Sequence, residues 1–407
     1  MKAAVLSIRE EAAERFRELG YPTTRIEEWK YTNVAPIAKM QWKHGGQAPS
    51  AVRTGEAPVL HAAIASLTFV NGQIVERKES PSVRVIPISE ASEADLEPYY
   101  GQIADWQRNA FVALNIAESR DGALIVADKP VEGFVHLLFI GEGDGIWSHP
   151  HNVIVAGRAS QLTVVETYVG RGRYFTNAVT EVFAVDGSVV DHYKIECESR
   201  DAFHIATLQF RQDRASSVIS RNVSIGGALV RNDINAVLDG EGASLSLDGL
   251  FVLGSNQHVD NHTLIDHVSP RAESHELYKG ILDDNARGIF DGRIIVRPNA
   301  QKTVSRQENR NLLLSEAAIV DSKPTLEIHN DDVKCNHGST IGQIDEQAMF
   351  YLRSRGIGED EARNLLVYAF ASEIVDRMKI EPVKEQIRRA LFQHLPQRLP
   401  EQRGEKR

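Results

Sequence analysis

From about residue 122 to residue 330 the chain repeats one pattern. A short run rich in Val, Ile, Leu, Thr and Phe is followed by Gly, Asn, Asp, Arg or Ser, and then by another such run, about every ten to twelve residues. The runs fall at 123–126, 134–140, 152–155, 162–165, 180–185, 188–195, 204–210, 218–225, 228–237, 243–253 and 258–265, and 293–296 closes the series. No gap holds the roughly ten residues of helix that a parallel crossover needs, which excludes a doubly wound sheet. A large sandwich, a propeller or a solenoid remains. Even spacing, short strands such as Ser244-Leu245-Ser246-Leu247, and single Gly or Asn corners in place of hairpin pairs favour a β-solenoid. Residues 151 to 269 contain no proline, as expected where every strand must donate to a neighbour. A propeller would repeat a blade signature about every forty residues, and none is found.

A solenoid must cover its ends, and the flanking sequence is helical. Residues 7–19 read as an amphipathic helix, with Ser7 and Glu10 at capping-box spacing and Gly20 and Pro22 as its stop. An aromatic segment, Arg25-Ile26-Glu27-Glu28-Trp29-Lys30-Tyr31-Thr32, follows, then a turn-rich linker over about 43–60 and a helix over about 102–118. Beyond residue 340, one apolar stripe (Ile344, Met349, Phe350, Leu352) stops at Gly356. A second runs from Ala362 to Met378, and Pro382 opens a third with Val383, Ile387 and Leu391. The expected organisation is a mostly helical region over 1–120, a β-helix core over 121–340, a helical domain over 341–395 and a polar tail over 396–407.

The 25% of charged and 42% of hydrophobic residues suit a chain with a large core and exclude the disordered class. A net charge of −10 gives no general attraction to nucleic acid or anionic lipid. The start lacks the apolar run of a signal peptide, and nowhere do eighteen apolar residues run together. Two cysteines, Cys197 and Cys335, cannot form a disulfide framework. A cytoplasmic protein with no membrane or nucleic-acid partner is expected.

Three constellations could carry chemistry. His149-Pro150-His151, six residues after Gly143, matches the first half of a cupin-type metal motif, but Val155 and Ala156 stand where its glutamate is needed. Two histidines at the start of a strand is the favoured reading. His258, His262, His267 and His275, interspersed with Asp260, Asp266 and Glu273, form the densest imidazole and carboxylate region. They would serve a metal site, an acid–base pair for polysaccharide cleavage, or a stacked solenoid face, the last being favoured. No phosphate-binding glycine loop is present. Cys335 and His337 lie where strands give way to helices. In extended backbone they point the same way and make a soft two-donor set for iron, copper or zinc, though an incomplete one. From the residues alone a buried structural cysteine is the favoured reading.

Asp331-Asp332-Val333-Lys334-Cys335-Asn336-His337-Gly338, with Thr340-Ile341-Gly342-Gln343-Ile344-Asp345-Glu346 and Phe350-Tyr351-Leu352-Arg353-Ser354-Arg355-Gly356-Ile357, closely resembles the SufD branch of the SufB/SufD family of the SUF iron–sulfur cluster assembly system. The segment 25–32 resembles that family's opening motif, and the likeness extends over essentially the full chain. The resemblance implies a right-handed parallel β-helix capped by helical domains. It also implies a non-catalytic scaffold in a complex of SufB, SufD and two copies of the SufC ATPase. SufC would dock on about 343–395 and SufB would meet the end of the β-helix near the signature. His337 would be a ligand of a transient iron–sulfur cluster at the SufB interface, with Cys335 in support. No cofactor is expected in the isolated chain, which would self-associate through the SufB surface. The competing readings are a β-helix enzyme acting on carbohydrate and a cupin-like metal-dependent enzyme.

Overall fold

A computed structural model describes residues 3–45 and 60–394; the expected linker over 43–60 for the most part, and the polar tail over 396–407, lie outside the described residues. Helix α1 (Ala3–Leu19) starts ahead of Ser7, so Ser7 is not its cap and its hydroxyl bonds Glu11 within the helix. A 3-10 turn (Glu27–Trp29), α2 (Ala35–Ala38), β1 (Lys43–His44), β2 (Ala65–Val70), β3 (Gln73–Lys78), β4 (Arg84–Pro87), α3 (Glu93–Leu96) and α4 (Ala110–Glu118) follow. The helix expected over 102–118 is thus confined to its second half. Asn109 sets the start, its side-chain oxygen accepting from the backbone N–H groups of Phe111 and Val112.

The body is a parallel β-solenoid of about eight turns, built from two sheets. Its strands are β5 (Ala123–Ala127), β6 (Val135–Glu142), β7 (Ile146–Ser148), β8 (His151–Ala156), β9 (Gln161–Arg171), β10 (Phe175–Ala184), β11 (Val189–Cys197), β12 (Phe203–Gln212), β13 (Ser217–Ser224), β14 (Leu229–Leu238), β15 (Ser244–Leu253), β16 (His258–His267), β17 (Glu273–Leu282), β18 (Arg287–Val296), β19 (Val304–Leu313), β20 (Ile319–Ile328) and β21 (Lys334–Gly342). Successive strands alternate between the sheets. One sheet stacks β8, β10, β12, β14, β16, β18 and β20, and the other β9, β11, β13, β15, β17, β19 and β21. The domain limits expected at residues 120 and 340 are both crossed: β2 pairs with β6, and the ladder runs to Gly342.

Two sequence expectations are corrected. The strand series does not close at 293–296, because β19, β20 and β21 follow and β17 lies within a stretch left unassigned. These strands carry polar side chains inward and outward, as in Val304-Ser305-Arg306-Gln307, so no apolar alternation marks them. Nor are the corners reserved for Gly and Asn. Ala159, Ala215, Ser255, Arg271, Asp284 and Lys302 hold left-handed φ between 52° and 61°, alongside Gly187 and Gly242. An L residue there costs about 1–2 kcal/mol, which the ladder bonds on both sides of the corner must offset.

The interior is apolar through the early rungs. Phe69, Phe139 and Tyr168 occupy paired ladder positions and stack, with ring centroids 5.1 Å and 4.8 Å apart. Such contacts add roughly 0.5–1.5 kcal/mol each beyond area burial. Further along, Glu166, His192, Lys194, Glu196 and His204 are enclosed together. Glu166 Oε1 lies 3.1 Å from His192 Nε2, and Glu196 meets Lys194, Ser224 and His204. Burial alone would raise the Glu196 carboxyl, but Lys194 and His204 outweigh it and keep it ionised. A buried charge persists only with partners of this kind.

After β21 come α5 (Glu346–Ser354), α6 (Glu359–Val375) and α7 (Glu381–His394). Val367, Ala371, Ile374, Val383 and Ile387 pack on the outer face of the second sheet against Tyr193, Ile195, Val223, Leu250 and Leu277. Ion pairs ring this seam: Arg377 with Asp248 at 2.8 Å and Lys279 with Glu373 at 2.7 Å.

Candidate functional site

The last rung is where the solenoid stops without a lid. Among the described residues β20 pairs only with β18 and β21 only with β19, so each presents one free edge of backbone donors and acceptors. Pro324 interrupts the donors of β20, whereas β21 contains no proline. Apolar side chains are left bare beside these edges, Ile319 at 53% and Ile341 at 52% exposure. Ser322 and Ser339 bridge the two strands at 2.8 Å.

Cys335 and His337 both lie on β21. Paired with Ser305 and Gln307, they belong to the row that faces the solenoid interior, and Cys335 packs with Val333 against the core cluster. Cys335 is half-buried and His337 exposed. Burial pushes the Cys335 thiol up, and the Ser305 backbone N–H only partly offsets it. A thiol and an imidazole are therefore presented together at an open end, reachable from outside. No cluster of three or more His, Cys, Asp or Glu side chains suited to a metal occurs among the described residues. The pair is a half set of soft donors that needs ligands from elsewhere.

The other histidines are committed to the fold. His151 uses both ring nitrogens, Nδ1 at 2.8 Å from Asn115 Oδ1 and Nε2 at 2.9 Å from Glu181 Oε2. Glu181 also accepts from the backbone N–H groups of Gly101, Ile103 and Ala104, so this pair pins the segment before α4 to the sheet. His149 is fully enclosed and held by Asn177 at 3.1 Å; burial drives its imidazole down to about 3. The cupin-like reading loses its donors.

Only part of the 258–275 cluster is brought together, His262 lying 2.9 Å from Asp260. His267 faces inward to Ser274, and His275 lies on the other sheet. His258, Asp260 and His262 face outward, where they receive the N-terminal motif. Thr32 Oγ1 donates to Asp260 Oδ2 at 2.5 Å, and Arg231 donates to Asp260 at 2.8 Å and to the Glu28 carbonyl at 2.7 Å. The Arg231 guanidinium also lies 3.9 Å from the centre of the Trp29 ring. The aromatic segment 25–32 is thus a docking clip. Neither Arg231 nor Asp233, which completes the clip at 3.0 Å, stood out in the sequence, because nothing local links residue 29 to residue 231. Asp260 is consumed internally, Asp266 pairs with Arg297 at the surface and Glu273 lies on the other sheet, so no carboxylate pair gathers for carbohydrate cleavage.

The third accessible feature is α5, which buries none of its residues. Phe350 and Tyr351 are exposed, and a cleft of about 580 Å³ between α5 and α6 is lined by Ile344, Met349, Phe350, Arg353, Glu359 and Arg363. No helix among the described residues is long and apolar enough to cross a membrane.

Comparison with known proteins gives two family matches. Residues 139–370 match the SUF system FeS cluster assembly SufBD core domain, and residues 1–132 match the SufBD protein N-terminal region. The chain is similar to an iron–sulfur cluster assembly SufBD family protein of Synechocystis, 31% identical over 406 residues, covering 94% of this chain and 89% of that one. It is 29% identical to the iron–sulfur cluster assembly protein SufD of Escherichia coli over 387 residues, 93% and 90% of the two chains. With SufD of Bacillus subtilis it shares 31% identity over 289 residues, 68% and 64%.

Proposed function

This chain belongs to the SufBD family of the SUF iron–sulfur cluster assembly system, and from that premise we propose that it is a non-catalytic cytoplasmic scaffold which pairs with a SufB chain and binds a SufC ATPase. One observation carries the reading. His337 is exposed on the final, unpaired rung, facing the same side as half-buried Cys335. Two donors on one chain hold metal weakly, and a partner that adds thiolates across the open edge completes a transient cluster site. Few permanent ligands also ease release, which a scaffold requires. The cluster is cargo in this scheme.

The free edge of β21 supports the pairing. A strand laid against it satisfies the exposed backbone groups and covers Ile341. With no SufB present, a second copy of the chain is expected to take that place. Bare Phe350 and Tyr351 on α5, with the cleft beside them, support docking of the ATPase on the C-terminal helices.

The test is His337→Ala in the complex reconstituted with SufB and SufC. Cluster formation, followed by its visible absorbance, should be abolished while the variant chain keeps its circular dichroism and assembles normally. Wild-type yield would remove His337 from the site. The isolated chain should carry no stoichiometric iron by metal analysis.

A further inference from the structure

His337 heads an interior ladder whose composition changes along the solenoid. Reading toward the open end, the paired positions are Val164, His192, Ser220, Leu247, Glu276, Gln307 and His337. The two side chains directly behind His337 are fully buried and polar. Gln307 Nε2 donates to Glu276 Oε2 at 2.7 Å, which fixes the orientation of the amide. A Cβ at Gly292 would collide with that amide nitrogen, so the glycine makes room for it. With the nitrogen committed downward, Gln307 Oε1 is left buried and without a partner among the described residues, whereas Glu276 has the Thr263 hydroxyl beside it as well as the amide.

This arrangement is costly. The orphaned amide oxygen forfeits about 1–3 kcal/mol of hydration. Burial also raises the Glu276 carboxyl to about 7. Leu247, one rung earlier in the same row, shows that an apolar side chain fits this interior. The orphaned amide oxygen has a use if something donates to it, and the next side chain in the ladder, about 4.8 Å further on by strand spacing, is an imidazole. A metal-bound histidine characteristically donates its other ring N–H to a carbonyl or carboxylate, which fixes tautomer and ring orientation.

We propose that Gln307 and Glu276 are positioning residues for His337: the carboxyl orients the amide, and the amide oxygen receives the ring N–H that a bound metal leaves free. This rests on the reading of His337 as a cluster ligand, and it adds a requirement within this chain that the exposed signature does not reveal.

The experiment uses the double variant Gln307→Met with Glu276→Met, which keeps volume and removes the polar column, and the exchanged pair Glu276→Gln with Gln307→Glu. Two quantities are read besides melting temperature. One is the rate at which diethyl pyrocarbonate modifies His337 in the isolated full chain, followed by peptide mass spectrometry at one fixed pH. The other is cluster yield in the reconstituted complex. The double variant should melt no lower than the parent, because both partners of the buried bond go together, while altering the His337 modification rate several-fold and lowering cluster yield roughly tenfold, the lower end for lost outer partners of a metal ligand. The exchanged pair should restore both readouts. Unchanged reactivity and yield, a yield that falls only in step with melting temperature, or an exchanged pair that restores neither would overturn the proposal. His337→Ala in the same assay separates the two ideas. Full yield there defeats the ligand reading, whereas loss there with full yield in the double methionine variant defeats the column alone.

Discussion

Arg231→Ala tests how the N-terminal segment is held. The guanidinium is almost fully buried, donates to Asp260, Asp233 and the Glu28 carbonyl, and covers the Trp29 ring. Truncating it leaves the Asp260 carboxylate, 1% exposed, without its strongest counter-charge. Removing one member of a buried pair costs about 3–5 kcal/mol, and the lost ring contact falls within that figure's uncertainty. At about 2.1 cal/mol/K of unfolding entropy per residue, 407 residues give roughly 0.9 kcal/mol/K, so a loss of about 4 kcal/mol lowers a cooperative melt by about 5 °C. The damage should begin locally, since the clip is one contact region of a larger body. Trypsin should then cut after Arg25 and Lys30 at least tenfold faster than in the parent, a ratio read by mass spectrometry. Burial opposes ionisation of Asp260, but Arg231, then His262 and Thr32, hold its carboxyl well below the usual range. Its stabilisation is therefore complete at pH 7 and is lost as pH falls below about 4, so the gap between variant and parent should narrow in acid. Arg231→Met combined with Asp260→Asn removes both charges and should recover at least half the loss. A single variant that melts within 1 °C of the parent, with its N-terminal segment still protected, would refute the clip.

Three further outcomes are expected. Glu276→Gln should gain stability relative to the parent as pH rises: the buried carboxyl is raised to about 7, so the parent's stabilisation by the protonated form is lost between about pH 4.5 and 7, and urea unfolding free energies at pH 8 against pH 5 should move in the variant's favour by up to ~3 kcal/mol. Ala215→Gly relieves a left-handed corner at φ 54° and should be neutral or stabilising by up to about 1 kcal/mol in the same titration; a clear loss would show that the methyl group packs usefully. Deleting residues 343–407 should abolish co-purification with a SufC ATPase, and retained binding would move the docking surface elsewhere.

The strand-rich middle and the helical flanks were legible because apolar alternation and the absence of long gaps are local signals. The final strands were not. Ser305, Gln307, Asn309 and Asn311 all face inward on β19, so the usual apolar mark of a buried face is missing. Left-handed corners at Ala159 and Lys302 carry no residue signature either, since neighbouring rungs enforce them. Cys335 and His337 stood out through their spacing and the family resemblance. The relation of His337 to Gln307 and Glu276 appears only once the register, a step of 30 or 31 residues, is known. The histidines at 149, 151 and 258–275 were read as structural, and the particular partners that hold them, from Asn115 and Glu181 to Asn177 and Ser274, could not be read from the sequence because they lie far off along the chain or on other strands.

The C-terminal helices lie across the outer face of the second sheet from β11 to β19, through Tyr193, Val223, Leu250, Leu277 and Leu312, and no β21 side chain joins the apolar cluster they form. They act as a splint over five layers of a stack whose last layer overhangs. A torque applied to α6 or α7 would turn the splinted layers as one stiff block and spend its bending at the overhang. The compliant hinge of the molecule and the layer that bears His337 are then the same few residues.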